Sequence, residues 1–392
     1  MAENGSPKNW KTKLIHSDAR IPEAFQALTT PVHRASTVLF PNASAANSNW
    51  NQYEHGYTYG THGTPTALEL AGRVCELEQG GHTLLAPSGL AAISLINFAM
   101  LKSGDHVLIP INVYGPNRSF ALQVLRRFGV DATFYRPGIG AGIGDLFRET
   151  TKLVWCESPG SVTMEVEDVP AIAGIAHQKG ALVAIDNTWA AGVLFDAFSH
   201  GIDIAMQAIT KYIAGHSDVL LGSVTVRDRE LFDRLGSMHN LLGYSVSPDE
   251  CSLALRGMQT FAVRLSAIEA AALDLAQWLA GRPEVELVLH PALASCPGHE
   301  FWKRDFTGSA GVFSIVFRNE FSKEQVLRFV DALQLFRVGY SWGGVASLAV
   351  AYDLRSNPDR PDYGHRIVRL NVGLEDVGDL KRDLEHALEE LR

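Results

Sequence analysis

From about residue 65 onward the chain alternates short apolar runs with helical stretches, and this alternation restricts the available folds more than any other feature. Strands are predicted at 82–86, 106–110, 153–157, 181–186, 204–208 and 219–226. Between them, helical spacing appears at 68–79, 89–101, 118–128 and 169–179. Such a sequence of elements predicts an α/β fold, a mostly parallel sheet covered by helices on both faces. A long helical stretch at 248–279 follows, then Gly281-Arg282-Pro283, a plausible boundary. After it come a strand at 285–289, a strand pair around 311–317, and helices at 323–333 and 375–391, which predict a smaller α+β domain.

At 392 residues the chain exceeds what one core usually supports, so more than one domain is expected. The division predicted is an arm at 1–60 that contacts a neighbouring subunit, a cofactor-binding domain at 61–258 and a C-terminal domain at 259–392. A net charge of −9 with no basic block argues against nucleic acid and against an anionic membrane surface. The most apolar stretch, 84–101, is broken by Pro87-Ser88-Gly89 and does not read as a membrane span. No signal peptide is visible, and the four cysteines, at 75, 156, 251 and 296, form neither a CxxC pair nor a disulfide framework. A cytoplasmic protein with buried thiols is the simplest reading. The 14 histidines show no metal-ligand spacing, so no metal is expected.

Five positions carry chemistry. Lys211 follows an apolar run and precedes a glycine-containing loop, at the sheet edge where α/β proteins bind ligands. A lysine there forms a Schiff base once its pKa is lowered; an isolated lysine is far more often a surface charge. Asp186 ends a buried strand, where an acid needs a cationic partner such as a protonated pyridine nitrogen. The plainer role is a turn or helix cap. Gly89 opens a helix after a strand, so free N–H groups there would cradle a phosphate, and Thr210 would add a hydroxyl. Tyr114 follows a strand and is placed to stack on a planar ring, or to fill a loop. Arg369 lies in an apolar strand, where a carboxylate substrate or a structural ion pair would satisfy it. The run Gly138 to Gly144 does not fit GxGxxG, has no parallel strand immediately before it, and reads as a flexible connection.

Together these elements resemble the cysteine/methionine-metabolism family of pyridoxal phosphate (PLP) enzymes, from about Thr30 to the C-terminus. The stretches that carry the resemblance include Glu157-Ser158-Pro159-Gly160-Ser161, Asp186-Asn187-Thr188-Trp189, Thr210-Lys211-Tyr212 and Gly215-His216-Ser217-Asp218. Trp302-Lys303-Arg304-Asp305-Phe306 and Ser341-Trp342-Gly343-Gly344 look like its β-lyase branch. The resemblance implies a fold-type I PLP-dependent architecture with a seven-stranded type of sheet, and a homotetramer built from dimers. It implies that Lys211 bears the cofactor, Asp186 faces the pyridine nitrogen, Tyr114 stacks on the ring, and Gly89, Leu90 and Thr210 hold the phosphate. Tyr59 would reach the neighbour's cofactor. Arg369, with Tyr340, Ser341 and Trp342, would bind the amino-acid substrate. Lys211, Tyr114 and Tyr59 are the catalytic candidates, and the activity implied is β-elimination of cystathionine.

Two departures from the family pattern stand out. Thr61 occupies the position of an arginine that usually clamps the neighbour's phosphate, and His62, next to it, is a candidate to contribute part of that binding. Ala346 stands where the family usually has glutamate. Both motivate an alternative, a γ-lyase acting on a homoserine-type amino acid such as canavanine and releasing hydroxyguanidine.

Overall fold

The computed structural model describes residues 8–16, 28–354 and 362–391. The predicted arm is therefore described only in part. Its described segments hold three short helical turns, Trp10–Lys13, Ala43–Ala45 and Gln52–His55, and an isolated bridge between Thr37 and Tyr59.

Seven strands form the large sheet: β1 (His82–Ala86), β2 (His106–Pro110), β3 (Asp131–Tyr135), β4 (Thr151–Glu157), β5 (Leu182–Asp186), β6 (Ile204–Gln207) and β7 (Gly222–Val226). Their spatial order is β1-β7-β6-β5-β4-β2-β3, and only β7 runs against its neighbours. The residues of β2, β6 and β7 are all buried, as expected for strands covered on both faces. Two apolar clusters, one on each face, do the covering: helix Pro65–Leu77 packs on one side and helix Gly89–Met100 on the other.

β3 was not predicted from the sequence. Only its last residue is buried, so its apolar pattern is weak. It is parallel to β2, which corrects the reading of the glycine run: a parallel strand does precede it. The run itself folds into a 3-10 turn, Gly140–Leu146. The predicted 118–128 helix is instead a helix at Gly115–Gln123 and a separate turn at Leu125–Phe128.

The second sheet has the order β10-β11-β12-β9-β8, with β8 (Val285–Leu289), β9 (Val312–Phe317), β10 (Arg337–Val338), β11 (Leu348–Tyr352) and β12 (Ile367–Asn371). β9 is one strand flanked by β8 and β12, not the strand pair the sequence suggested. The 33-residue helix Pro248–Ala280 joins the two bodies. Its Cys251, Met258, Phe261 and Ile268 belong to the core of the first sheet, and its Ala272, Leu275 and Leu279 to that of the second. The helix runs unbroken through residues 258 and 259.

Candidate active site

Because β7 alone is reversed, β1, β2, β4, β5 and β6 all end at the same edge of the large sheet. The residues that follow those ends meet there in a cavity of about 610 Å³. Gly89, Leu90, Tyr114, Asp186, Thr210, Lys211, Tyr340, Ser341, Trp342 and Arg369 all line it. Positions scattered over some 280 residues of sequence are thus brought to one place by topology.

Lys211 lies in the turn after β6, where its N–H bonds the carbonyl of Ala208 at 3.0 Å. Its Nζ donates to Ser341 Oγ at 2.7 Å and stands 5.2 Å from the centre of the Trp342 ring. Burial, and then the nearby Arg369 charge, bring its pKa down to about 8, against the pull of Asp186. Arg369, on β12, is only 8% exposed. It donates to the Ser341 carbonyl at 3.2 Å and lies 5.4 Å from the Tyr352 ring, and no carboxylate pairs with it among the described residues. Ser341 thus touches both cations, and it does so with a left-handed backbone, φ 87°, that a serine adopts at a cost.

Asp186 terminates β5. Burial raises its pKa, opposed by hydrogen bonds from Thr188 and by the charge of Lys211. Thr188 in turn accepts the Ala208 N–H at 2.9 Å, tying the acid to the lysine's turn. At the other end of the cavity, Ser88 caps helix Gly89–Met100 through the Ala91 N–H at 3.0 Å. The N–H groups of Gly89 and Leu90 keep no partner among the described residues. A Cβ at Gly89 would come within 2.8 Å of Ala208, so this close approach requires glycine. The Thr210 hydroxyl is engaged with Leu221 in both directions, as donor to its carbonyl at 3.1 Å and acceptor from its N–H at 3.0 Å.

Tyr59 and His62 lie outside this cavity. Tyr59 is half exposed, and His62 is held inside its own chain, 3.1 Å from Thr58 Oγ1 and 2.7 Å from Asn240 Oδ1. Ala346 is exposed and also outside the cavity, so neither residue behind the canavanine alternative shapes its wall in this chain.

Three contributors escaped sequence reasoning. Glu157, at the end of β4, accepts the Tyr114 N–H at 2.6 Å. Its place at the end of an apolar strand is the signal that singled out Asp186 and would have found it too. Thr188 and Arg264 gave no such signal. Arg264 donates to the carbonyls of Tyr212 at 2.8 Å and Ile213 at 3.2 Å, just past Lys211.

The donor set fits pyridoxal phosphate: helix N–H groups for a phosphate, a half-buried acid for a cationic ring nitrogen, and a depressed amine for an aldehyde. Fold and cavity define an α/β enzyme of the kind that uses pyridoxal phosphate. The chain belongs to the Cys/Met metabolism PLP-dependent enzymes, whose family model matches residues 11–389. It is 47% identical over 379 residues to a putative cystathionine beta-lyase of Rhizobium johnstonii, covering 95% of this chain and 94% of that protein. It is 39% identical over 390 residues to the cystathionine beta-lyase of Escherichia coli, covering 96% and 98%. The crystal structure of metB from Corynebacterium glutamicum superposes with a TM-score of 0.90 at 28% identity, covering 98% of this chain and 99% of that one. The canavanine alternative finds no support in these relatives.

Proposed function

We propose that this enzyme cleaves cystathionine by β-elimination, giving homocysteine, pyruvate and ammonia with the uptake of one water. The observation that supports it most directly is one cavity holding an amine, a half-buried acid and a guanidinium with no carboxylate partner among the described residues, in a chain whose relatives bear the cystathionine beta-lyase name.

Arg369 takes the substrate α-carboxylate in a two-pronged grip, with the Ser341 carbonyl steadying the guanidinium. Bound pyridoxal phosphate supplies the electron sink for the C–H bond broken at Cα. Asp186 keeps the proton on the ring nitrogen. Lys211, its proton affinity lowered by burial, removes the Cα proton and then hands a proton to the departing sulfur. Ser341 Oγ, which accepts a hydrogen bond from Nζ at 2.7 Å, orients the amine for both transfers. Trp342 and Tyr340 wall the entrance; Tyr340 is 81% exposed.

The test is incubation of the purified enzyme with cystathionine. Pyruvate and homocysteine in equal amounts support the reading; 2-oxobutyrate and cysteine, the γ-cleavage products, overturn it. Lys211→Ala should lower turnover by about 10²–10⁴-fold, the contribution of a positioned general base, and borohydride reduction with peptide mapping should place the cofactor adduct on Lys211.

We further read the protein as a cytoplasmic homotetramer in which Tyr59 and the neighbouring 58–64 segment serve the adjoining subunit's site. Leu39, Tyr59 and Leu241 are exposed apolar side chains that such an association would cover. Four free cysteines, three of them buried, fit a reducing compartment. Among the described residues no helix is long and apolar enough to cross a membrane. Light scattering on the purified protein checks the assembly: a monomer that is fully active sinks it.

A further inference from the structure

Tyr114 is the residue placed to lie against the cofactor ring, yet little holds its side chain there. Tyr114 is 42% exposed. Among the described residues its phenol makes no hydrogen bond and no ring contact. What is anchored is its backbone. The Tyr114 N–H donates to Glu157 Oε2 at 2.6 Å, short even for a charge-assisted bond. Tyr114 is also the N-cap of helix Gly115–Gln123, and its own side chain does no capping. The carboxylate therefore stands at the positive end of that helix. Glu157 is itself well fixed. It ends β4 in register with Asp186 at the end of β5, it is 8% exposed, and its N–H bonds Glu167 Oε2 at 3.3 Å.

We propose that Glu157 is a positioning residue: its carboxylate, by holding the Tyr114 N–H, sets the angle at which the phenol meets the cofactor ring. Asp186 and Glu157 then act as a pair from adjacent strand ends, one addressing the edge of the ring and the other, through Tyr114, its face. The inference rests on the reading that Tyr114 stacks on the ring.

The experiment uses the holoenzyme and reads the visible circular dichroism of the bound cofactor, which reports ring orientation, beside kcat/KM and Tm. Glu157→Ala should cut the dichroic band by at least about half and kcat/KM by about 10-fold, the cost of one charge-assisted hydrogen bond. Glu157→Gln keeps an acceptor oxygen and should recover most of both. Glu157→Asp keeps the charge but withdraws the acceptor by one methylene, so it should resemble Glu157→Ala, and it serves if the alanine variant does not fold. Added to Tyr114→Ala, the Glu157→Ala change should have no further effect on the band. A role confined to capping the helix would lower Tm and leave the dichroism alone, which overturns the proposal, as does a glutamine variant no better than alanine. If Tyr114→Ala leaves the band unchanged, the stacking reading itself fails. If Tyr114→Ala alters the band and Glu157→Ala does not, stacking stands and the positioning role falls.

Discussion

An arginine inside an apolar strand costs several kcal/mol unless something anionic answers it. Arg369 receives only the Ser341 carbonyl and a ring face from the described residues, so its charge awaits a carboxylate. Arg369→Ala should therefore reduce kcat/KM by the equivalent of about 2–5 kcal/mol, mainly through KM, as measured on cystathionine. The same reasoning explains why Arg369, Asp186 and Lys211 could be picked out from residues alone: each is an ionisable group that an apolar segment would otherwise exclude. Ser341 and Arg264 could not be weighed in that way. Ser341 meets Lys211 across 130 positions and Arg264 meets Tyr212 across 52, and no local pattern reports a partner so distant. His62 was singled out by its neighbourhood in sequence. Both its ring nitrogens are engaged within its own chain, by Thr58 and Asn240, and its proposed phosphate contact concerns the neighbouring subunit.

Among the elements, helix Gly89–Met100 is the most sensitive to small change. Its first residue is pressed against Ala208, and the same turn carries the lysine. Gly89→Ala adds one methyl group where none fits, at an expected cost of about 1–3 kcal/mol. The strain falls on the phosphate cradle and the lysine turn together, so cofactor release from the holoenzyme should quicken along with the fall in Tm; a variant that loses Tm but retains cofactor as the parent does would separate the two. Strands buried on both faces were predictable from composition, since β2, β4, β5 and β6 are near-continuous apolar runs. β3 and the edge strand β10 were missed because their burial is partial or absent, and the hydrophobic pattern fades with it.

Taken whole, the molecule stores several buried ionisable groups in neutral form. Burial lifts Glu78 from 4.5 to about 8, opposed by bonds from Asn187 and Gln207. The native state then binds a proton that the unfolded chain has already released, so stability declines as pH rises from 4.5 through about 8. His106, buried and pushed down to about 4, acts oppositely, but only below its ordinary 6.5. Between pH 6.5 and about 8 Glu78 acts without that opposition. Glu78→Gln should flatten the fall of Tm across that interval; an unchanged slope would mean that Glu78 is already ionised in the native state.

Helix Pro248–Ala280 has a consequence for the spacing of the two cations in the cavity. Gly257 lets it approach the carbonyl of Ala214 so closely that a Cβ would lie 2.3 Å away, and Arg264, two turns on, grips the carbonyls beside Lys211. The same rod is rooted in the second core, beneath the sheet that carries Arg369. One rod thus braces both the lysine's loop and the sheet beneath the guanidinium, and it holds the amine and its cationic neighbour at a set spacing.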